Sequence, residues 1–124
     1  MKAEVVPAIL AHSEREFKEK LAIIERAAPL IQIDVMDGKF VPNTTWADPE
    51  VVRKHLNMDC EIHLMTKKPT EKAKKWKDVP QVKRVLFHYE AEENVGLIIE
   101  KLHELNVWDI AMVLNPETSP DVVG

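Results

Sequence analysis

A chain of 124 residues with a formal net charge of −4 and 45% hydrophobic residues is sized for one globular unit. The slight acidic excess leaves no electrostatic footprint for nucleic acid or an anionic membrane. The apolar runs, such as Val5 to Ala11, fall well short of the roughly 20 residues that a membrane span needs, and no signal peptide is read at the N-terminus.

The first β-rich run is Val5-Val6-Pro7-Ala8-Ile9-Leu10. A helix follows, with Phe17, Leu21, Ile24 and Ala28 on one stripe at spacings of four, three and four. The second strand, Leu30 to Val35, is broken by Asp37-Gly38. Asp48 before Pro49 reads as an N-cap with proline at the first helical position, opening a helix through Val51, Val52, His55 and Leu56. The third strand is Cys60 to Met65, and its helix starts near Pro69-Thr70 and carries Ala73 and Trp76. Lys72, Lys74, Lys75 and Lys77 read as that helix's solvated face. A fourth strand, Arg84 to His88, leads to a helix with Val95, Ile98, Leu102 and Leu105 on one face. The fifth is Asp109 to Leu114, followed by Asn115-Pro116 and a short tail. Trp46, Trp76 and Trp108 read as packing or rim groups, and His12, Lys39, His55 and His103 as surface residues.

A βαβαβαβαβ order predicts a parallel sheet with covering helices. Two architectures share it, the open doubly wound sheet and the (β/α)8 barrel. The doubly wound sheet usually carries a glycine-rich turn after its first strand. Here that turn is Ala11-His12-Ser13-Glu14, and the only glycines are Gly38, Gly96 and Gly124. Polar residues collect late in successive strands instead: Gln32 and Asp34, His63, His88, Asn115. The α/β class with a (β/α)8 TIM barrel is therefore expected, residues 1–124 forming its first half, β1 to β5, of a single domain. The lone cysteine, Cys60, has no internal partner for a disulfide. It reads as a buried structural thiol in a reducing, cytoplasmic compartment.

Strand alternation puts Gln32 and Asp34 on one face, opposite Ile31, Ile33 and Val35, and puts Glu61, His63 and Met65 opposite Ile62 and Leu64. If the polar faces point inward, Asp34 and His63 meet at the barrel mouth. A half-set of metal ligands, an acid/base pair and a structural hydrogen bond all fit that juxtaposition.

The run Ile31-Gln32-Ile33-Asp34-Val35-Met36-Asp37-Gly38-Lys39-Phe40-Val41-Pro42-Asn43 resembles the signature of the ribulose-phosphate 3-epimerase family, typically HIDVMDGxFVPN. Pro7-Ala8-Ile9-Leu10, Glu61-Ile62-His63-Leu64-Met65 and Leu114-Asn115-Pro116-Glu117-Thr118 match in the same order. The resemblance implies interconversion of D-ribulose 5-phosphate and D-xylulose 5-phosphate by proton transfer at C3, between two aspartates, with a divalent metal (zinc, iron or manganese) at the enediolate oxygens. By the same resemblance Asp34 is the first catalytic aspartate and a metal ligand, and His63 is a metal-binding histidine. Met36 and Met65 wall the site, and Asn115 and His88 sit where substrate is in reach, His88 reading more readily as structural.

Two positions depart from the family pattern. Gln32 stands where a ligating histidine is usual, and Ala8 where a substrate-touching serine is usual; both weaken the expected metal and substrate site. The second aspartate and the phosphate loops belong to later strands, so a further stretch of about 90–100 residues is expected for a closed barrel. An isolated half barrel is expected to be inactive and to self-associate through its open strand edges. A ketohexose phosphate such as allulose 6-phosphate, or a non-catalytic sugar-phosphate-binding role, stays open as an alternative.

Overall fold

A computed structural model describes residues 5–105 and 107–123. The elements run β1 (Ala8–Ile9), α1 (Glu14–Ile24), β2 (Leu30–Met36), α2 (Pro49–His55), β3 (Asp59–Met65), α3 (Pro69–Lys74), β4 (Val82–His88), α4 (Val95–Leu105), β5 (Asp109–Val113) and a final 3-10 turn (Pro120–Val123). All strand pairs are parallel, and the strands lie in the order β1-β2-β3-β4-β5. That order decides between the two architectures, because a doubly wound sheet reverses direction at a switch point and a barrel adds each strand beside the last. The arc is the five-stranded portion of a (β/α)8 barrel. No helix among the described residues is long and apolar enough to cross a membrane.

The local chemistry follows the sequence closely. Ser13 and Asp48 each occupy an N-cap, accepting from the N–H of Glu16 and Glu50, and Pro49 opens α2. Phe17 and Leu21 bring α1 onto the sheet, Ile98 and Leu102 bring α4, and Ile31, Ile33, Ile62, Leu64, Val85 and Phe87 meet them from the strands. Trp46 packs on Phe17 with ring centroids 5.4 Å apart, Trp76 is buried, and Trp108 lies against the core. Cys60 is buried, and its thiol is pushed up to about 12 by burial and by the neighbouring Asp59 and Glu61 carboxylates. It is a packing residue. Lys74, Lys75 and Lys77 face solvent and Lys72 is half-buried.

Most boundaries agree to within two residues, and three differences have a local reason. The first strand shrinks to two residues because, as an edge, it pairs only with Gln32 and Ile33 of β2. Ala28 falls outside α1: it precedes Pro29, whose ring disfavours a helical conformation for the residue before it. Trp76 lies beyond the end of α3 and is buried from the turn that follows.

Candidate active site

Strand alternation and register together build the site. Asp34 lies opposite His63, Gln32 opposite Glu61 and Met36 opposite Met65, all on the face turned away from the helices. Asp34 Oδ1 sits 3.3 Å from His63 Nδ1. The Gln32 side-chain amide fits between them, its Nε2 donating to Asp34 Oδ1 at 2.8 Å and lying 3.2 Å from His63 Nδ1. The other nitrogen of His63, Nε2, is 2.7 Å from His88 Nε2, and the two rings stack with centroids 4.9 Å apart. Phe40 closes over His88 from the loop after β2, at 5.2 Å.

Each expected residue has a definite place. Asp34 and His63 are brought together and remain partly open, with side chains 13% and 16% exposed. Gln32 joins them as a hydrogen-bonding bridge. Met36 and Met65 are half-buried one step further along the same face. Ala8 pairs in register with Gln32 on the exposed edge strand, offering a methyl group where a hydroxyl is expected. Asn115 follows β5, its N–H donating to Glu90 at 3.2 and 3.1 Å from the two carboxylate oxygens. Glu61, on the same face, is buried and ion-paired with Arg84 at 2.9 Å, a structural tie. His12, His55 and His103 are exposed, as expected.

His88 and Glu90 are the residues that sequence reasoning undervalued. His88 is buried and sits directly behind His63. Burial and the neighbouring His63 hold its pKa below the usual histidine range, against the opposing pull of Glu90. Glu90 is itself pushed up by burial, but the Thr118 hydroxyl, backbone N–H groups and His88 outweigh that and hold its carboxyl below the usual range. A histidine two residues before a glutamate at a strand's carboxyl end is a signal available in Phe87-His88-Tyr89-Glu90.

A cleft of about 380 Å³ opens among the loops after β2, β3 and β4 and is lined by Asp37, Lys39, Lys67, Lys68, Glu71, Lys72 and Glu92. Four ammonium groups there face three carboxylates, so it has little net field. The Asp34, His63 and Gln32 side chains that the sequence singles out lie on the strands instead.

The model of the "Ribulose-phosphate 3 epimerase family" matches residues 4–123. The chain belongs to that family. Among curated relatives, a ribulose-phosphate 3-epimerase of Chlamydia trachomatis is 34% identical over 108 residues, covering 86% of this chain and 46% of the relative. Those of Bacillus subtilis and Schizosaccharomyces pombe are 32% and 29% identical, covering 97% and 99% of this chain and 56% of each relative. The chain thus spans about half the length of the relatives it matches. The family is enzymatic, and Asp34 and His63 meet inside the part of its pattern that this chain retains.

The family implies a divalent cation, and the donor atoms can be tested for it. Asp34 Oδ1, His63 Nδ1 and the Gln32 amide form a triangle with edges of 2.8, 3.2 and 3.3 Å. Neighbouring ligands around a six-coordinate cation with bonds of about 2.1 Å lie about 3 Å apart, so the triangle fits one face of such a site. The amide must turn to offer Oε1, since its nitrogen is no ligand. Among the described residues, no group of three or more His, Cys, Asp or Glu is placed to hold a metal, so Gln32 decides whether a third donor exists.

Proposed function

We propose that the chain is the N-terminal part of a sugar-phosphate 3-epimerase, in which Asp34 is the acid/base group for the proton on one face of C3 of ribulose 5-phosphate. The observation that carries this reading is the Asp34–His63 pair, 3.3 Å apart and partly open, on the polar face of the sheet. Asp34 is anchored at two points. Its backbone carbonyl accepts from Thr45 Oγ1 at 2.8 Å, and Gln32 grips one carboxylate oxygen. The second oxygen is left for a substrate proton. Met36 and Met65 supply an apolar wall beside the reacting carbon, which keeps water from competing for the carbanion-like centre. Asp34, His63 and a turned Gln32 would hold the cation, which supplies Lewis-acid stabilisation of charge developing on the substrate oxygens. A glutamine oxygen in place of imidazole suits manganese better than zinc or iron.

Full inversion needs a second acid/base group on the opposite face of the substrate, so this chain is assigned proton exchange and not net epimerisation. The reading also implies a cytoplasmic protein that self-associates, because β1 and β5 each have a single strand neighbour among the described residues. A non-catalytic sugar-phosphate binder is the second reading, favoured by Gln32 filling the space between Asp34 and His63.

Incubating the chain with ribulose 5-phosphate and manganese in heavy water separates the two. Deuterium is expected at C3, without family-like conversion to xylulose 5-phosphate, and Asp34→Asn is expected to abolish the exchange. Exchange that persists in Asp34→Asn rejects the assignment, and binding with no exchange favours the second reading. Allulose 6-phosphate in parallel reports the preferred chain length.

A further inference from the structure

The polar contacts across β2, β3 and β4 have a direction, and both ends of the chain set it. At the far end the Glu90 carboxylate, already accepting the Asn115 N–H, has only acceptor atoms. His88 Nδ1 is buried, has no partner at hydrogen-bond distance, and faces Glu90 Oε1 at 3.6 Å. A neutral imidazole carries one proton, and a bare lone pair turned toward an anion is repulsive. That proton therefore sits on Nδ1, and His88 Nε2 is an acceptor. Its partner at 2.7 Å is His63 Nε2, which must then donate.

The near end gives the same answer independently. Only the N–H end of the Gln32 amide can stand 2.8 Å from the Asp34 carboxylate, so the atom 3.2 Å from His63 Nδ1 is a donor as well. It requires a lone pair on Nδ1. One contact pulls the other way: at 3.3 Å, an Nδ1–H tautomer would donate to Asp34 Oδ1. That gain would set Nδ1–H against the Gln32 N–H and deprive the buried His63–His88 contact of its proton.

We propose that His88 and Glu90 are positioning residues that hold His63 with its proton on Nε2 and its Nδ1 lone pair facing the Gln32 N–H, beside Asp34. Neither residue touches the reacting atoms. They act through His63, in the way that a hydrogen-bonded outer partner fixes the tautomer and orientation of a ligating imidazole. The inference deepens the proposed active site and rests on it, but the tautomer is a property of the metal-free protein.

The test is a long-range proton–nitrogen correlation spectrum of the histidine rings in the full metal-free chain. It is expected to show His63 protonated at Nε2 and bare at Nδ1; a proton on Nδ1 overturns the proposal. In His88→Phe, which fills the space without an acceptor, His63 is expected to move toward the Nδ1–H form. Manganese affinity should fall by about 10–100-fold. In His88→Gln, whose amide oxygen accepts again, both properties should return toward wild type. If His63 and manganese binding respond equally in the two variants, the role is merely structural and the proposal fails. Should His88→Phe not fold, Glu90→Ala carries the test: Glu90 is a fifth exposed, and losing it should give a mixture of His63 tautomers. An unchanged single tautomer there counts against Glu90. The expected tautomer in a protein without proton exchange supports this inference and removes the proposed reaction instead.

Discussion

The two faces of one sheet divide the work of this molecule. Toward the helices, Ile31, Ile33, Ile62, Leu64, Val85 and Phe87 are at most 1% exposed. One residue along each strand, Gln32, Asp34 and His63 keep a route to solvent and are joined by polar contacts, and Arg84 pairs with Glu61. Parallel sheets are normally covered on both faces. Here the dry face is the packed one and the wetter face holds the proposed site, so substitutions should separate stability from the proposed chemistry.

The largest expected effect tests that division from the dry side. Phe87→Ala removes a fully buried ring, and such truncations cost about 3–5 kcal/mol. Urea unfolding should show a loss of that size; a change under about 1 kcal/mol would mean the helix-facing side is not the stabilising one. A smaller change is expected from the other face. Gln32→His replaces an amide by an imidazole at the donor triangle and should raise zinc affinity at least 10-fold, with little shift in the unfolding midpoint. Unchanged zinc binding on titration would show that this position is a hydrogen-bonding bridge only.

The smallest expected effect lies at the junction of the faces. Burial pushes the Asp37 carboxyl up, but the N–H groups of Lys67, Phe40 and Lys39 outweigh burial and hold it below the usual aspartate range. A carboxyl depressed by folding contributes stability above its unfolded value of about 3.9, and loses that contribution as pH falls through the folded value. Asp37→Asn should therefore flatten the acid limb of a stability–pH curve. An unaltered limb would show that acid sensitivity arises elsewhere.

Much of this organisation is legible in the sequence, and the exceptions share a cause. Alternation alone separates Asp34 and Gln32 from Ile31 and Ile33, and the caps at Ser13 and Asp48 announce their helices. Features that depend on a single strand or turn can be read this way. His88 cannot, because its contact with His63 runs diagonally between strands and depends on the register, which shifts at Cys60/Glu61. Gln32 is legible as a departure from the family pattern, but not as a bridge, since its amide orientation is set by two partners at once. Glu90 lies past the end of β4, and its contacts, with His88 and with the Asn115 N–H, are both to other segments or side chains that the strand pattern does not pair with it.

The loop after β2 bears on what the family signature records. Gly38 has φ +73°, and a Cβ there would come within 2.7 Å of Thr44 Cγ2, so no other residue fits without displacement. Beside it, Asp37 gathers N–H groups from its own loop and, through Lys67, from the loop after β3. The Asp-Gly pair is thus a clasp between two loops, and neither residue takes part in the proton chemistry proposed for Asp34. The Asp37-Gly38 part of the signature can therefore persist where turnover is lost, whereas Asp34 in the same run cannot change without touching the proposed reaction.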